Sequence, residues 1–241
     1  MSKLPNAPLL EVIFELRWQI RQKSDLTKYQ YLLGDLYSSL KDIYPIRESL
    51  APPEVPTDIL INNPVHRFRK ERNQYPLVQL GPGVLTLNTT DNNYFWEEFY
   101  ELAKKLNQEF FSVFPVENEA FKSNLLYIDF FKFDFKNQNV NEFINDSFNI
   151  NIEQGFIKKT GNPFHLDLGF YYETDLGNLS VTLKKGKNED KEDGIVMQTT
   201  LRGQESMETV ENVLSWLNRS HDFSSDLFKE ITKGKLYNSF K

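Results

Sequence analysis

The sequence predicts an α+β chain, an antiparallel sheet or sheets with helices packed on one face, built from a duplicated β-α-β-β-β-α unit. Three observations carry that expectation. The opening stretch alternates apolar and polar residues with a period of two, which marks a strand with one buried and one wetter face. Helical patterns of 3.6-residue spacing then appear between groups of short alternating runs instead of after every strand, which favours meanders over βαβ crossovers. Finally, two joints match: residues 84–90 run through 91–93 into an aromatic helix over 94–113, and 195–200 lead through a turn into a helix over 205–218. Each joint is a strand ending in Thr-Thr ahead of an amphipathic helix.

In chain order, Leu10, Val12, Phe14, Leu16, Trp18 and Ile20 form the inward face of the first strand. Thr27 with Gln30 reads as a capping box, followed by Tyr29, Leu33, Leu36, Leu40 and Ile43 at helical spacing until Pro45 stops the helix. Residues 51–56 form a stiff, Pro-rich connector. Strands follow over about 58–70, 75–80 and 84–88, the last two joined by Gly81-Pro82-Gly83. The next helix sets Phe95, Phe99, Leu102, Leu106 and Phe110 on one face. Residues 125–135 are apolar on both faces, the mark of a central strand, and a short helix from Asn139 buries Val140, Phe143, Ile144 and Phe148. Alternating runs at 164–172 and 179–183 make a hairpin, and the charged stretch 184–194 is a solvated tip. Helices carrying Met207, Val210, Leu214 and Leu217, then Phe223, Leu227, Phe228 and Ile231, complete the chain. The whole reads as a single domain of two pseudo-repeats, residues 1–120 and residues 121–241 with the extra helix.

With 241 residues, 39% of them hydrophobic, the chain is long enough for a sizeable core. The formal net charge of −6 divides evenly between the halves, so there is no basic domain and no acidic tail. The absence of cysteine excludes disulfides, a thiolate nucleophile and sulfur-ligated zinc, and fits a reducing compartment. No signal-peptide h-region and no apolar run of spanning length are visible, so the expected location is cytoplasmic, with no membrane partner.

At the level of element order the chain resembles the TATA-binding-protein-like and helix-grip arrangements, whose curved sheets hold a helix or a ligand. A more specific likeness rests on Asn6-Ala7-Pro8-Leu9-Leu10-Glu11-Val12-Ile13-Phe14-Glu15-Leu16-Arg17-Trp18, Leu87-Asn88-Thr89-Thr90, Tyr94-Phe95-Trp96-Glu97-Glu98-Phe99, Leu126-Tyr127-Ile128-Asp129 and His221-Asp222 with Phe228. In these the chain resembles a sporadically distributed, uncharacterised prokaryotic family of about this length. The resemblance brings no catalytic residues. Its patchy distribution implies carriage by mobile elements and a host-defence or toxin-linked role.

Phosphate-binding loops, a dinucleotide fingerprint, a nucleophile elbow and an HExxH helix are all absent from the sequence. His165 and Asp167 form an H-x-D pair that reads first as an ordinary strand pair and only second as metal ligands; no cofactor and no metal are expected. His221-Asp222 falls where one helix is expected to hand over to the next, which suggests a cap. Asp129, inside an apolar strand, needs a partner if it points inward, and Arg17 is the candidate. Asn88 and Thr90 end a strand ahead of a helix N-terminus, where an anion can be held. The one dense basic stretch, residues 66–72, suits an edge strand, and with the acidic net charge it argues against nucleic acid. Three functions fit. The first is a non-catalytic interaction or regulatory subunit, partnered by another protein or by a second copy. The second is a small-molecule module with a cavity lined by Trp18, Trp96 and Tyr127. The third is an enzyme needing two converging carboxylates. The binding candidates are Trp18, Asn88, Thr90, Trp96, Tyr127 and Asp129, with no catalytic residue assigned.

Overall fold

A computed structural model describes residues 4–90, 92, 94–114, 120–155, 162–204, 206–232 and 234–241. Among the described residues, nine strands form one antiparallel sheet: β1 (Leu9–Arg17), β2 (Ile46–Ser49), β3 (His66–Arg69), β4 (Leu77–Gly81), β5 (Val84–Thr90), β6 (Lys122–Lys132), β7 (Asp167–Thr174), β8 (Gly177–Lys187) and β9 (Asp193–Arg202). Their order across the sheet is β2-β3-β4-β5-β1-β6-β9-β8-β7. Thus β1 and β6 pair at the centre, and in each half the chain passes from its first strand to the sheet edge, at β2 or β7, and returns inward as a meander whose last strand, β5 or β9, pairs with that first strand. The α+β reading holds.

Registry explains which side chains meet the helices. Val12 lies opposite Thr89 on one side and Tyr127 on the other, and Tyr127 lies opposite Thr199. This row points to the same face as the rows of Phe14, Leu87, Leu125 and Leu201, all of which are buried. The helices α1 (Lys23–Leu40), α2 (Trp96–Val113), α3 (Val140–Ser147) and α4 (Val210–Ile231), followed by the short α5 (Lys235–Asn238), supply the other half of a single hydrophobic core. Glu11, Glu15, Arg17, Asn88 and Asn124 point to the opposite face, where Asn88 donates to Glu11 (2.8 Å) and Asn124 to Glu15 (2.9 Å). Among the described residues, no helix is long and apolar enough to cross a membrane.

The structure corrects several boundaries. Only residues 66–69 of the stretch expected at 58–70 form a strand; Thr57–Leu60 is a 3₁₀ turn, and the four-residue β2, too short to show alternation, adds a strand to the first half. Helix α1 begins ahead of Thr27, because the Asp25 carboxylate accepts the Arg21 and Gln22 amides at 2.9 and 3.1 Å and closes the first turn there. Phe95 caps α2 and is 47% exposed, so the buried stripe is Phe99, Ala103, Leu106 and Phe110. Phe164 precedes β7 and is 94% exposed. Strand β9 runs beyond Thr199-Thr200 to Arg202, whereas β5 stops at Thr90, so only the first Thr-Thr pair ends a strand. The expected helices after 205 are one: Thr209 caps α4 by accepting the Asn212 amide (3.2 Å), and 22 residues follow without interruption. Glu205, like Asp91 and Asn93, lies outside the described residues.

Candidate functional site

Where the end of the sheet meets the start of α2 and the middle of α4, a cavity of about 180 Å³ opens among Tyr94, Phe95, Trp96, Tyr127, Phe228 and Tyr237. Leu4 and residues 7–9 close one side. Each wall has a local cause. Tyr127 and Asp129 sit on the helix-facing side of β6, two residues apart, so both project into the space. Tyr94 and Trp96 flank the helix cap Phe95. His221, Ser224, Ser225 and Phe228 recur at helical spacing along α4.

Three polar side chains join inside. The Tyr94 and Tyr127 hydroxyls are 3.0 Å apart, and Tyr127 lies 2.8 Å from His221 Nδ1. The His221 ring lies flat on Trp96, with centroids 3.7 Å apart and an interplanar angle of 6°. Burial pushes the His221 pKa down to about 4, more than the nearby Asp222 and Glu97 carboxylates lift it, so the ring is neutral at pH 7. Burial raises both phenols, with Asp129 adding to the rise at each. A neutral imidazole and two neutral phenols therefore form a hydrogen-bonded chain that orders the wall without placing a cation in it.

One polar atom in the cavity stands apart. Ser224 is 4% exposed and its hydroxyl has no hydrogen-bond partner among the described residues. Thr199 completes the floor, and Lys229 at the margin is held by Asp226 at 2.7 Å.

Of the candidate residues, Trp96, Tyr127 and Asp129 come together here. Trp18 does not: it is 4% exposed and packs among Phe110, Phe114 and Phe121 as a core residue. Asn88 and Thr90 face the other side of the sheet, where Asn88 binds Glu11 and Thr90 lies opposite it in register. Arg17 is likewise on that far face, bound to Glu15 at 2.9 Å, so it cannot serve Asp129; beyond the register shift after Leu9, the odd-numbered residues of β1 point away from the helices. His165 is exposed and Asp167 pairs with Lys184 (3.2 Å), and no cluster of three potential metal ligands occurs among the described residues. Among the described residues lining the cavity, Asp129 is the single carboxylate.

His221 and Ser224 were missed as site residues. His221-Asp222 suggests a cap only if the helix breaks there, but Ser220-His221-Asp222-Phe223-Ser224-Ser225 contains neither Gly nor Pro, and α4 continues through it. Reading one helix over 210–231 would have put His221, Ser224 and Phe228 on one stripe. Comparisons with protein-family models, with curated proteins and with solved structures return no match.

Proposed function

We propose that the chain is a small-molecule binding module whose ligand occupies the cavity between the sheet and α4. The observation that carries this reading is the Ser224 hydroxyl. A buried hydroxyl without a partner costs free energy, and in a mostly aromatic wall a polar atom on a ligand is a partner that would satisfy it. The setting agrees: a mostly apolar concave site with a few oriented polar groups is the usual form of a ligand pocket. About 150 Å³ suffices for a benzene-sized guest, so this space takes a ring or a branched head group. The test is ligand-observed NMR with a library of ring-sized fragments on the full chain. Fragments should bind wild type and be lost in Ser224→Leu, which fills the cavity while the thermal melt stays near wild type. Fragments that bind both proteins alike, or none at all, would remove the proposal.

A second reading, an interaction or regulatory subunit, is supported by the edge of the sheet. Among the described residues, strand β7 is unpaired on one side, and it carries Tyr171 and Tyr172, 73% and 55% exposed, with Phe164 just ahead of it. The occupant we assign to this edge is a second copy, because antiparallel pairing of β7 with itself would extend the sheet and cover the same rings on both chains. Light scattering should give a dimer mass for wild type and a monomer for Tyr171→Lys; a monomeric wild type would rule out this interface. Carriage in a host-defence or mobile-element system rests on the sequence resemblance alone.

A further inference from the structure

We propose that the cavity takes an uncharged, ring-bearing ligand with an amide-type group, whose donor and acceptor are met by His221 Nε2 and the Ser224 hydroxyl. The proposal rests on the pocket reading above and names its ligand class. His221 and Ser224 stand about one helical turn apart on α4, both line the cavity, and they are 8% and 4% exposed. Tyr127 engages His221 Nδ1 at 2.8 Å and Trp96 covers one face of the ring. Nε2 is therefore the polar atom that the ring has left to offer, and it has no hydrogen-bond partner among the described residues. The Ser224 hydroxyl has none there either.

The bonding sense of Nε2 follows from the proton between Tyr127 and His221. If the phenol donates to Nδ1, Nε2 carries the hydrogen and donates; if Nδ1–H donates to the phenol, Nε2 accepts. An amide presents an acceptor and a donor side by side, so it answers either tautomer. Ser224 can donate or accept and takes the other atom.

The charges at this wall favour a ligand without one. Burial keeps the His221 ring neutral, and both signs act on it: Asp222 and Glu97 raise its pKa, whereas the chain's amino group and Lys229 lower it. Asp129 and Lys229 each have an interaction within the chain, and Lys229 meets Asp226 at 2.7 Å. A charged ligand would give up its hydration for a wall whose charges are already engaged, a cost that an uncharged group avoids. The body of the ligand has apolar walls to meet. Tyr94 and Tyr127 cross at 80° with centroids 6.2 Å apart, and the register shift in β1 between Leu9 and Glu11 sets Leu9 opposite Asp129, on the cavity side. Bulges recur beside functional sites, where they re-aim a side chain.

The probes are benzamide, benzoate and benzamidinium, planar molecules of one size. Benzamide carries both a donor and an acceptor without charge, benzoate only acceptors, and benzamidinium only donors. Binding to the full chain at neutral pH is read by calorimetry, with the His221 ring signals in NMR reporting the location. Benzamide should bind about tenfold tighter or more than either ion. Ser224→Ala should weaken benzamide by about fivefold to tenfold. The wild-type comparison needs no variant, so the proposal stays testable if Ser224→Ala does not fold. An ion that binds as tightly as benzamide overturns the uncharged ligand while leaving the pocket in place. A benzamide affinity unmoved by Ser224→Ala overturns the pairing with α4. If no probe binds at millimolar concentration the amide proposal also fails, and the fragment screen then decides separately whether the cavity binds small molecules at all.

Discussion

His221 shows how a single side chain can be held against its own preference. Its ring is 8% exposed, stacked on Trp96 and bonded to Tyr127, and its pKa of about 4 lies well below the ordinary 6.5. Between those two values the unfolded chain binds a proton here that the folded chain does not. Stability should therefore fall as pH drops from 6.5 and level off below about 4, by about 3 kcal/mol in all. Urea unfolding of wild type and His221→Gln across that range should show the slope in wild type and a flatter profile in the variant. Trp96 is only half-buried, so Trp96→Ala should cost about 1–3 kcal/mol, less than truncating a fully enclosed aromatic. The same substitution uncovers His221, and an NMR titration should find its pKa moved up towards 6.5. An unchanged titration would mean that the stack does not keep water from the ring.

At the scale of elements, the β7–β8 turn leaves no room for a side chain at Gly177. Gly177 has φ +126°, and a Cβ there would lie 2.0 Å from the Arg202 carbonyl oxygen, so Gly177→Ala should destabilise by about 3 kcal/mol in a thermal melt. Thr174 braces the turn by donating to the Gly177 carbonyl at 2.7 Å, and Trp216 Nε1 reaches over from α4 to the Leu176 carbonyl at 2.8 Å. The sequence showed the hairpin, since Thr-Asp-Leu-Gly-Asn sits between alternating runs, but nothing local announces the Trp216 contact from forty residues away. The same division holds throughout. Strand β1, the central place of β6 and the helix at Asn139 were legible, because period, apolar runs and caps are local signals. Strand β2 was not, for its four residues are fixed by pairing with β3. At the site, Trp96, Tyr127 and Asp129 were legible as an aromatic at a helix start and an acid in an apolar strand. His221 became visible only once α4 proved continuous, and Trp18, an equally large aromatic, belongs to the core at the other end of β1.

For the molecule as a whole, the two halves share one core, and β1 and β6 are each other's neighbours at its centre. Separating residues 1–120 from 121–241 would leave each half with a long apolar edge. The intact chain should unfold in one calorimetric transition with matching van't Hoff and calorimetric enthalpies, and neither half expressed alone should give a cooperative melt. Two resolved transitions would show that the halves are independent. If the packed core supplies the stability, melts with and without a chelator should coincide; a fall of many degrees would return attention to His165 and Asp167.

The central position of β1 also bears on how the chain is made. Strand β1 leaves the ribosome before both of its partners: Phe14 must wait for Leu87 on one side and Leu125 on the other. Until β6 has emerged, the middle of the sheet cannot close, and one edge of β1 stays unpaired. Such long-range pairing places the protein among high-contact-order folds, which reach the native state in milliseconds to seconds and not microseconds. The stage before β6 emerges is then the one at which a holding chaperone would matter most.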